Sequence, residues 1–235
     1  MKTETAGSGE GPSPALAKEN GVQGYELSPK LVTLSDTQVV EAEAIRTMRT
    51  HIVARHLEDG RRGLAMCAAT AGTGCTFMAA NLAVSLAQIG IKTLLIDGDM
   101  RKPSVERLVR PVAGAVGLKQ YLMSPELHPH DQIHTDVLKD LSVLYAGGIA
   151  DNAQELLGGE AFRSLIDVCL RDFEFTIIDT PPLSLCADAR RISTVVGYSI
   201  VVAKRNVSYL ADIASLASQL QEDGARVVGT VLNEV

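Results

Sequence analysis

Short apolar runs alternate with longer amphipathic stretches along this chain from about residue 61 onward. The apolar runs have the length of strands buried on both faces, and the longer stretches repeat their apolar positions with a helical period. This alternation predicts an α/β domain with a mostly parallel central sheet and helices on both faces. The predicted strands are 63–69, 92–99, 141–147, 175–180, 198–204 and 226–232, and the predicted helices include 75–90, 160–172 and 208–223.

The N-terminal part of the chain has a different pattern. Its first residues are rich in Gly, Ser, Pro and charge and show no apolar period, so we expect a disordered tail over 1–26 and a folded domain over 27–235. A helix is predicted next, over about 36–56, because apolar residues recur there in steps of three and four. Ser35 or Asp36 is expected to cap the start of this helix.

Composition limits the classes of function. The chain has 235 residues, 46% of them hydrophobic, and a formal net charge of −6, which argues against broad nucleic-acid binding. Its four cysteines form no CxxC pair, so neither a zinc site nor a redox dithiol is predicted. No apolar run reaches the roughly 18 residues that span a bilayer. We therefore expect a cytoplasmic protein that contacts the membrane only through a partner.

The first candidate for chemistry is the loop after the first of these strands, which reads TAGTGCT over residues 70–76. The full phosphate-loop pattern is G-x-x-x-x-G-K-[ST], in which backbone N–H groups and a helix N-terminus hold phosphate. Gly74 and Thr76 match the second glycine and the metal-binding hydroxyl, whereas Ala69 replaces the first glycine and Cys75 replaces the lysine. Alone, this fragment is weak evidence, and an ordinary strand–turn–helix connection explains it better.

Two later strands deliver acidic residues to the same edge of the predicted sheet. The strand 92–99 carries Asp97 and Asp99 at its end, and the strand 175–180 carries Asp179. Open α/β sheets bind their ligands at the carboxyl ends of parallel strands. A helix N-cap explains any one of these acids, but not three of them beside a glycine turn. A nucleotide with Mg²⁺ explains them together, because a hydroxyl and carboxylates can surround the metal's water shell.

The loop, LLIDGDMRKP (94–103) and IIDTPP (177–182) resemble the Walker A, Walker A′ and Walker B motifs of bacterial tyrosine kinases. These kinases belong to the same branch of P-loop NTPases as the septum-site and partitioning ATPases. Further segments resemble the kinases in order and spacing, and the resemblance extends over residues 27–235. These segments are EAEAIRTMRTHI, GLKQYL, LSVLYAGG followed by NAQELL, and the ending VVGTVLNEV.

The resemblance implies a P-loop NTPase-like domain with ATP or ADP and Mg²⁺ as cofactors. In an active kinase Asp97 and Asp99 would be the catalytic residues. Mg²⁺ would be held directly or through water by Thr76, Asp97 and Asp179. The nucleotide would contact Ala71, Gly72, Thr73, Gly74, Cys75, Thr76, Phe77 and Asn233.

The predicted helix 36–56 carries Glu43, Arg46 and Arg49 in the spacing E-x-x-R-x-x-R. This spacing is similar to the family's subunit-contact motif, which implies a homo-oligomer. The alternative is an exposed helix with ion pairs worth only about 0.2–0.5 kcal/mol each. The match in sequence and position favours the oligomer contact.

A cluster of histidines offers a second candidate metal site. His128, His130 and His134 lie close together in HPHDQIH, a spacing that can bind a metal. The stretch is polar and connects two predicted elements, and the family has no catalytic residue there. A solvated loop is the preferred interpretation.

Two departures from the family pattern bear on activity. Cys75 lacks the charge that a loop lysine places on the β- and γ-phosphates, and its thiol is expected to have a lowered pKa at a helix N-terminus. Arg101 or Lys102 is a candidate to replace part of that charge. The sequence ends at Val235, where the family's tyrosine cluster would begin, and only Tyr25 is expected in a flexible segment.

Three functions are consistent with these observations. The first is a pseudokinase-like subunit, with weak or absent kinase activity, that regulates exopolysaccharide or capsule polymerisation or export. It would bind a transmembrane co-polymerase of the chain-length-determinant type at the inner face of the plasma membrane. The second is an active tyrosine autokinase or ATPase with a non-standard loop. The third is a partitioning or positioning ATPase, which ranks last because those proteins usually have a further lysine early in the loop, where this chain has Thr70, Ala71 and Gly72.

Overall fold

The computed structural model describes residues 24–124 and 126–234. Most of the apolar runs form strands that are almost fully buried, as expected for a sheet covered on both faces. The run 226–232 differs, because its residues at the edge of the sheet are exposed or half-buried. The strands are β1 (Tyr25–Leu27), β2 (Gly63–Cys67), β3 (Thr93–Asp97), β4 (Val109–Pro111), β5 (His134–Leu138), β6 (Leu141–Leu144), β7 (Phe175–Asp179), β8 (Tyr198–Lys204) and β9 (Arg226–Asn233).

Helices connect most of the strands and cover both faces of the sheet. α2 is buried on almost every side, because it packs between the sheet and α1, and its sequence is accordingly apolar all round. The helices are α1 (Val39–Ile52), α2 (Cys75–Ala87), α3 (Leu118–Met123), α4 (Ala153–Gly158), α5 (Glu160–Asp172), α6 (Asp188–Val196) and α7 (Leu210–Glu222).

Seven strands form one sheet in the order β5-β6-β3-β7-β2-β8-β9. Neighbouring strands are parallel except for β5, which runs antiparallel to β6 at one edge. Successive side chains alternate between two apolar clusters, one on each face: Leu94 and Ile96 belong to one, and Leu95 to the other. The α/β class and the mostly parallel sheet are therefore confirmed.

In the parallel pair formed by β3 and β7, Asp97 of β3 lies directly opposite Asp179 of β7. The parallel register thus brings the acids of two separate sequence motifs to the same edge of the sheet. The loop between β2 and α2 meets them at that edge, because β2 is the other neighbour of β7. Over the part of the chain that the structure describes, no helix is both long and apolar enough to cross a bilayer.

The start of the predicted helix 36–56 differs from the expectation. α1 begins at Val39 after Gln38, and no side chain caps it, so the predicted cap at Ser35 or Asp36 is wrong. The Ser35 hydroxyl instead accepts a hydrogen bond from the backbone N–H of Thr37, which forms a local turn before the helix. A π-helical turn, Val53–Leu57, extends the helix to about its predicted end.

The N-terminal boundary also differs. β1 pairs antiparallel with β4, so ordered structure includes Tyr25 and Glu26, which the sequence prediction placed in the tail 1–26. Residues 1–23 lie outside the described part of the chain. Tyr25 is not in a flexible segment, because its hydroxyl hydrogen-bonds to His134 Nδ1 over 3.3 Å.

Candidate functional site

The loop between β2 and α2 adopts a conformation that requires glycine at two positions. Gly72 and Gly74 have φ angles of 78° and 85°, a region that residues with a side chain rarely adopt. A Cβ atom on Gly74 would collide with the Asn233 side chain, whose Nδ2 donates to the Thr73 carbonyl over 2.9 Å. The end of β9 therefore holds the loop in place, and the predicted contact of Asn233 with the nucleotide stays a prediction.

Cys75 begins α2 at the position of the expected lysine, and its side chain turns back toward the sheet. Its Sγ–H donates to the Met66 carbonyl over 3.1 Å. Burial, followed by the negative charge of Asp179, raises the pKa of this thiol well above its ordinary value. The predicted lowering of this pKa is wrong, because desolvation and a nearby carboxyl outweigh the field of the helix N-terminus. Cys75 therefore contributes a neutral thiol.

Asp97 organises the loop that follows β3. Its two carboxylate oxygens accept hydrogen bonds from the backbone N–H groups of Asp99, Ser104 and Val105 over 3.1, 2.9 and 3.0 Å. Burial is the largest influence on its pKa and raises it to about 6. Asp97 is 0% exposed, so its carboxylate lies beneath the cavity and shapes the loop from below.

Asp99 lies beside the cavity and fixes the next part of the same loop. Its Oδ1 accepts from the backbone N–H groups of Arg101 and Lys102 over 3.0 and 2.8 Å. These bonds form a compact turn that presents the following basic residues around the cavity. Both predicted catalytic acids are therefore near the cavity. Asp99 lines it, and Asp97 is buried beneath the loop that Asp99 belongs to.

Thr76 and Asp179 join the Walker A-like and Walker B-like segments directly. The Thr76 hydroxyl donates to Asp179 Oδ2 over 2.5 Å and also lies 2.8 Å from the Ser104 hydroxyl. Burial, and then the charge of Asp97, raise the pKa of Asp179 to about 8. Its other oxygen, Oδ1, is buried and has no hydrogen-bond partner among the residues that the structure describes.

These residues fit a Mg²⁺ ion that is shared with phosphate. An orphaned carboxylate oxygen beside a hydroxyl is an arrangement that a divalent cation or its water shell would satisfy. Across residues 24–124 and 126–234, no group of three or more His, Cys, Asp or Glu side chains could hold a metal by itself. Mg²⁺ usually completes its shell with waters and substrate phosphates, so this finding agrees with such a role. The assignment of Thr76, Asp97 and Asp179 to metal stays a prediction.

Two adjoining cavities surround the loop, and both are lined by Lys30 and Gly74. The larger, of about 480 Å³, lies over the phosphate-binding segment and extends to the loops after β3 and β7. The smaller, of about 320 Å³, lies beside α1 and contains Phe77 and Asn233. Of the predicted nucleotide contacts, the larger cavity is lined by Ala71, Gly72, Thr73, Gly74, Cys75 and Thr76.

Basic residues line the larger cavity, although the loop itself has none. Arg101 is engaged elsewhere, because its guanidinium forms an ion pair of 2.7 Å with the buried carboxylate of Asp188 at the start of α6. Lys102, Arg107 and Lys30 also line this cavity and have no carboxylate partner within ion-pair distance in the described chain. Sequence reasoning named Arg101 and Lys102 but missed Lys30 and Arg107.

The residues of the predicted subunit contact differ in their surroundings. Glu43 and Arg46 form an exposed ion pair of 3.5 Å on α1. Arg49 turns inward, and its guanidinium donates to the carbonyl and hydroxyl oxygens of Ser85 on α2 over 3.1 and 3.2 Å. One arginine therefore joins two helices within the chain, while the ion pair faces outward. The oligomer contact itself stays a prediction.

The predicted histidine cluster does not converge on one point. His130 Nε2 contacts the Asp172 carboxylate over 2.9 Å, and its ring stacks with that of His128. His134 points the other way, toward Tyr25 and the Val116 carbonyl. Within the described chain these three rings do not share a metal site. The interpretation as a solvated loop is right only in part, because His134 begins β5 and the preceding residues Gln132 and Ile133 are buried.

Comparison with known proteins identifies the family. No protein-family model matches the chain. The tyrosine-protein kinase CpsD of Streptococcus pneumoniae serotype 4 is 30% identical over 177 residues, which cover 75% of this chain and 78% of CpsD. The crystal structure of the chimerical protein CapA2B2 is 31% identical, with a TM-score of 0.80 over 88% of this chain and 91% of its own. This chain belongs to the bacterial tyrosine kinases.

The fold of these kinases is shared with other P-loop proteins. The septum-site-determining protein MinD of Pyrococcus horikoshii, solved with Mg-ADP, has a TM-score of 0.62 and covers 73% of this chain and 70% of its own. At 21% identity it shows the fold alone. The resemblance to the tyrosine kinases and the P-loop NTPase-like fold, both predicted from the sequence motifs, are therefore confirmed.

Proposed function

We propose that this chain is a cytoplasmic tyrosine-kinase-like subunit that binds ATP or ADP with Mg²⁺ and has weak or absent kinase activity. It would regulate exopolysaccharide or capsule polymerisation or export together with a transmembrane co-polymerase, as a homo-oligomer at the inner face of the membrane. The observation that carries the low activity is the hydrogen bond from Cys75 Sγ to the Met66 carbonyl. The atom at the lysine position is uncharged and points toward the sheet.

Several features support nucleotide binding. Gly72 and Gly74 have left-handed backbone conformations, and α2 begins directly after Gly74. A glycine turn before a helix N-terminus is an arrangement that binds anions. Thr76 and Asp179 are already in contact, and Asp179 has an unsatisfied oxygen. When bound, Mg²⁺ would supply positive charge to the phosphates. The smaller cavity, which Phe77 lines, adjoins the larger one and has room for the nucleoside.

The missing lysine affects phosphoryl transfer more than binding. The chain's own residues would hold the phosphates with backbone N–H groups and would orient the metal with Thr76 and Asp179. Charge that develops during transfer would meet only the thiol of Cys75 at the position where the family has an ammonium group. Loss of one preorganised electrostatic contact of this kind costs about a hundredfold or more in rate. This site is therefore better suited to binding a nucleotide than to transferring its phosphoryl group.

Calorimetric titration of MgADP into the full chain tests the binding part of the proposal. We expect measurable binding by the wild type, and Cys75→Lys should raise the affinity about tenfold or more, since a charged hydrogen bond contributes about 1.5–3 kcal/mol. Cys75→Met is the matched control, because it lengthens the side chain without adding charge. Absence of wild-type binding, or equal effects of Lys and Met, would contradict the proposal.

A second function, that of an active autokinase or ATPase, is favoured by one specific observation. Asp97, Asp99 and Asp179 all lie at the site, and Lys102 lines the larger cavity without a carboxylate partner within residues 24–124 and 126–234. If Lys102 replaces the lysine in catalysis, wild-type turnover should be robust. Lys102→Gln should then abolish it, while Cys75→Lys should change it only modestly.

The membrane partner needs a separate test. We expect the full chain to sediment with vesicles that contain a co-expressed co-polymerase of the chain-length-determinant type and not with vesicles that lack it. Binding to both kinds of vesicle would contradict a membrane contact made only through a partner.

A further inference from the structure

Lys30 lies in the segment between β1 and α1, far from the phosphate loop in sequence. Its backbone is held firmly from both sides: Ser28 N–H donates to the Leu108 carbonyl over 2.8 Å, and Asn81 Nδ2 of α2 donates to the Lys30 carbonyl over 3.1 Å. The next residue, Leu31, is 1% exposed and belongs to the core. The backbone of Lys30 is thus anchored against the helix that begins at the phosphate loop.

Lys30 is exposed, and among the described residues it shares with Gly74 the property of lining both cavities. No carboxylate lies within ion-pair distance of its ammonium group in the part of the chain that the structure describes. Glu41 lines the smaller cavity, but its carboxylate forms no ion pair with Lys30. Arg101, in contrast, is already paired with Asp188. Lys30 is therefore a cation at the junction of the cavities whose charge is not neutralised locally.

We propose that Lys30 supplies to a bound nucleoside polyphosphate the ammonium group that the phosphate loop lacks at Cys75. This inference rests on the proposed nucleotide binding and assigns one of its specificity-determining residues. A lysine ammonium is a compact charge on a flexible stem with three donors, so it can reach phosphate oxygens from outside the loop. Its position between the two cavities favours a ligand with a polyphosphate on one side and a nucleoside on the other.

If Lys30 contacts phosphate, its charge should matter only for ligands that have a phosphate. Removing its charge should weaken binding of MgADP and leave binding of adenosine unchanged, because adenosine has no phosphate. A merely structural role would weaken both ligands together. Restoring the ordinary loop lysine with Cys75→Lys should make Lys30 less important, because two cations near the same phosphates have overlapping effects.

The test is calorimetric titration of MgADP and of adenosine into the full chain. Lys30→Gln should weaken MgADP binding about tenfold or more, the effect of losing a charged hydrogen bond. Lys30→Arg should keep most of the affinity. Lys139→Gln, which removes an exposed lysine from the turn between β5 and β6, is the matched control and should have no effect. In the Cys75→Lys background, Lys30→Gln should cost less than about threefold.

The outcomes separate this inference from the proposal on which it rests. If the wild type does not bind MgADP, the proposed nucleotide binding fails, and the role of Lys30 fails with it. If the wild type binds and Lys30→Gln binds equally well, only the role of Lys30 is overturned. Equal weakening by Lys30→Gln and Lys30→Arg, or equal losses of MgADP and adenosine, would also overturn it, because charge would not then be the cause.

Discussion

The Thr76 hydroxyl lies 2.5 Å from Asp179 Oδ2, although the two residues are 103 positions apart in the sequence. This contact joins the loop after β2 to the end of β7, and the adjacent Asp179 Oδ1 is buried without a partner in the described chain. A hydroxyl and a carboxylate so placed are the protein groups that P-loop proteins present to Mg²⁺. The contact lies beside a loop that has Cys75 at the position of the expected lysine, and the assignment of Thr76 and Asp179 to Mg²⁺ stays a prediction.

The buried acids predict an unusual dependence of stability on pH. Asp179 and Asp97 have pKa values raised to about 8 and about 6, so the folded chain holds protons that the unfolded chain loses above about pH 4. Because the folded state binds more protons, this stabilisation is complete at about pH 4 and is lost as the pH rises through 6 and 8. Without Mg²⁺, the free energy of unfolding should fall over that window.

Asp179→Asn checks this expectation, because the amide cannot ionise. In metal-free urea unfolding at pH 8, the variant should be more stable than the wild type by about 1–3 kcal/mol, and the difference should vanish near pH 4. Adding Mg²⁺ should reduce the difference by favouring the ionised carboxylate of the wild type. A wild-type stability that rises between pH 5 and pH 8 relative to the variant would contradict the raised pKa values.

Gly74 and Gly72 provide a matched pair of substitutions in the phosphate loop. Gly72→Ala should cost about 1 kcal/mol, because its φ of 78° is unfavourable but the space beside it is open. Gly74→Ala should cost about 2–4 kcal/mol, because its new Cβ also collides with Asn233. Thermal unfolding of the two variants measures the difference. Equal costs would mean that β9 does not clamp the loop.

The ion pair between Arg101 and Asp188 should stabilise the fold more than a surface pair does. Asp188 is buried at the start of α6, so Asp188→Ala leaves Arg101 without its bidentate partner and should cost about 1–3 kcal/mol. Glu43→Ala breaks the exposed pair with Arg46 and should cost no more than about 0.5 kcal/mol. Urea unfolding at pH 7 compares the two, and a larger cost at Glu43 would refute this ranking.

The three residues of the predicted subunit contact should separate into two classes. Glu43 and Arg46 face outward, so Arg46→Ala should lower the oligomer mass in light scattering and leave the thermal midpoint nearly unchanged. Arg49 donates to Ser85 within the chain, so Arg49→Ala should destabilise the monomer by about 1 kcal/mol. If Arg46→Ala keeps the wild-type mass, this surface is not the oligomer contact.

The central fold was predictable because its elements have strong and separate patterns. α5 and β8 have the predicted bounds, and β8 follows Gly197, whose φ of 84° ends α6. The strands β1 and β4 have three residues each, too few to show a period. α6 was missed because the buried polar residues Asp188 and Ser193 interrupt its apolar face.

The site was predictable only as far as its motifs are local. Thr76 follows from the phosphate-loop pattern, and the acids at the ends of β3 and β7 follow from the strand ends of a parallel sheet. The position of Lys30 beside the phosphate loop was not predictable, because it depends on how the segment before α1 packs on α2. The orientation of Cys75 was missed for a similar reason: the Met66 carbonyl that accepts its Sγ–H becomes its neighbour only on folding.

Transfer of labelled phosphate from γ-labelled MgATP to the full chain tests the central claim most directly. We predict that the wild type transfers no more phosphate than its Asp97→Ala variant does, while Cys75→Lys, which restores the missing charge, binds nucleotide more tightly. Robust transfer by the wild type that Asp97→Ala abolishes would contradict a kinase-like subunit that binds nucleotide with little or no turnover.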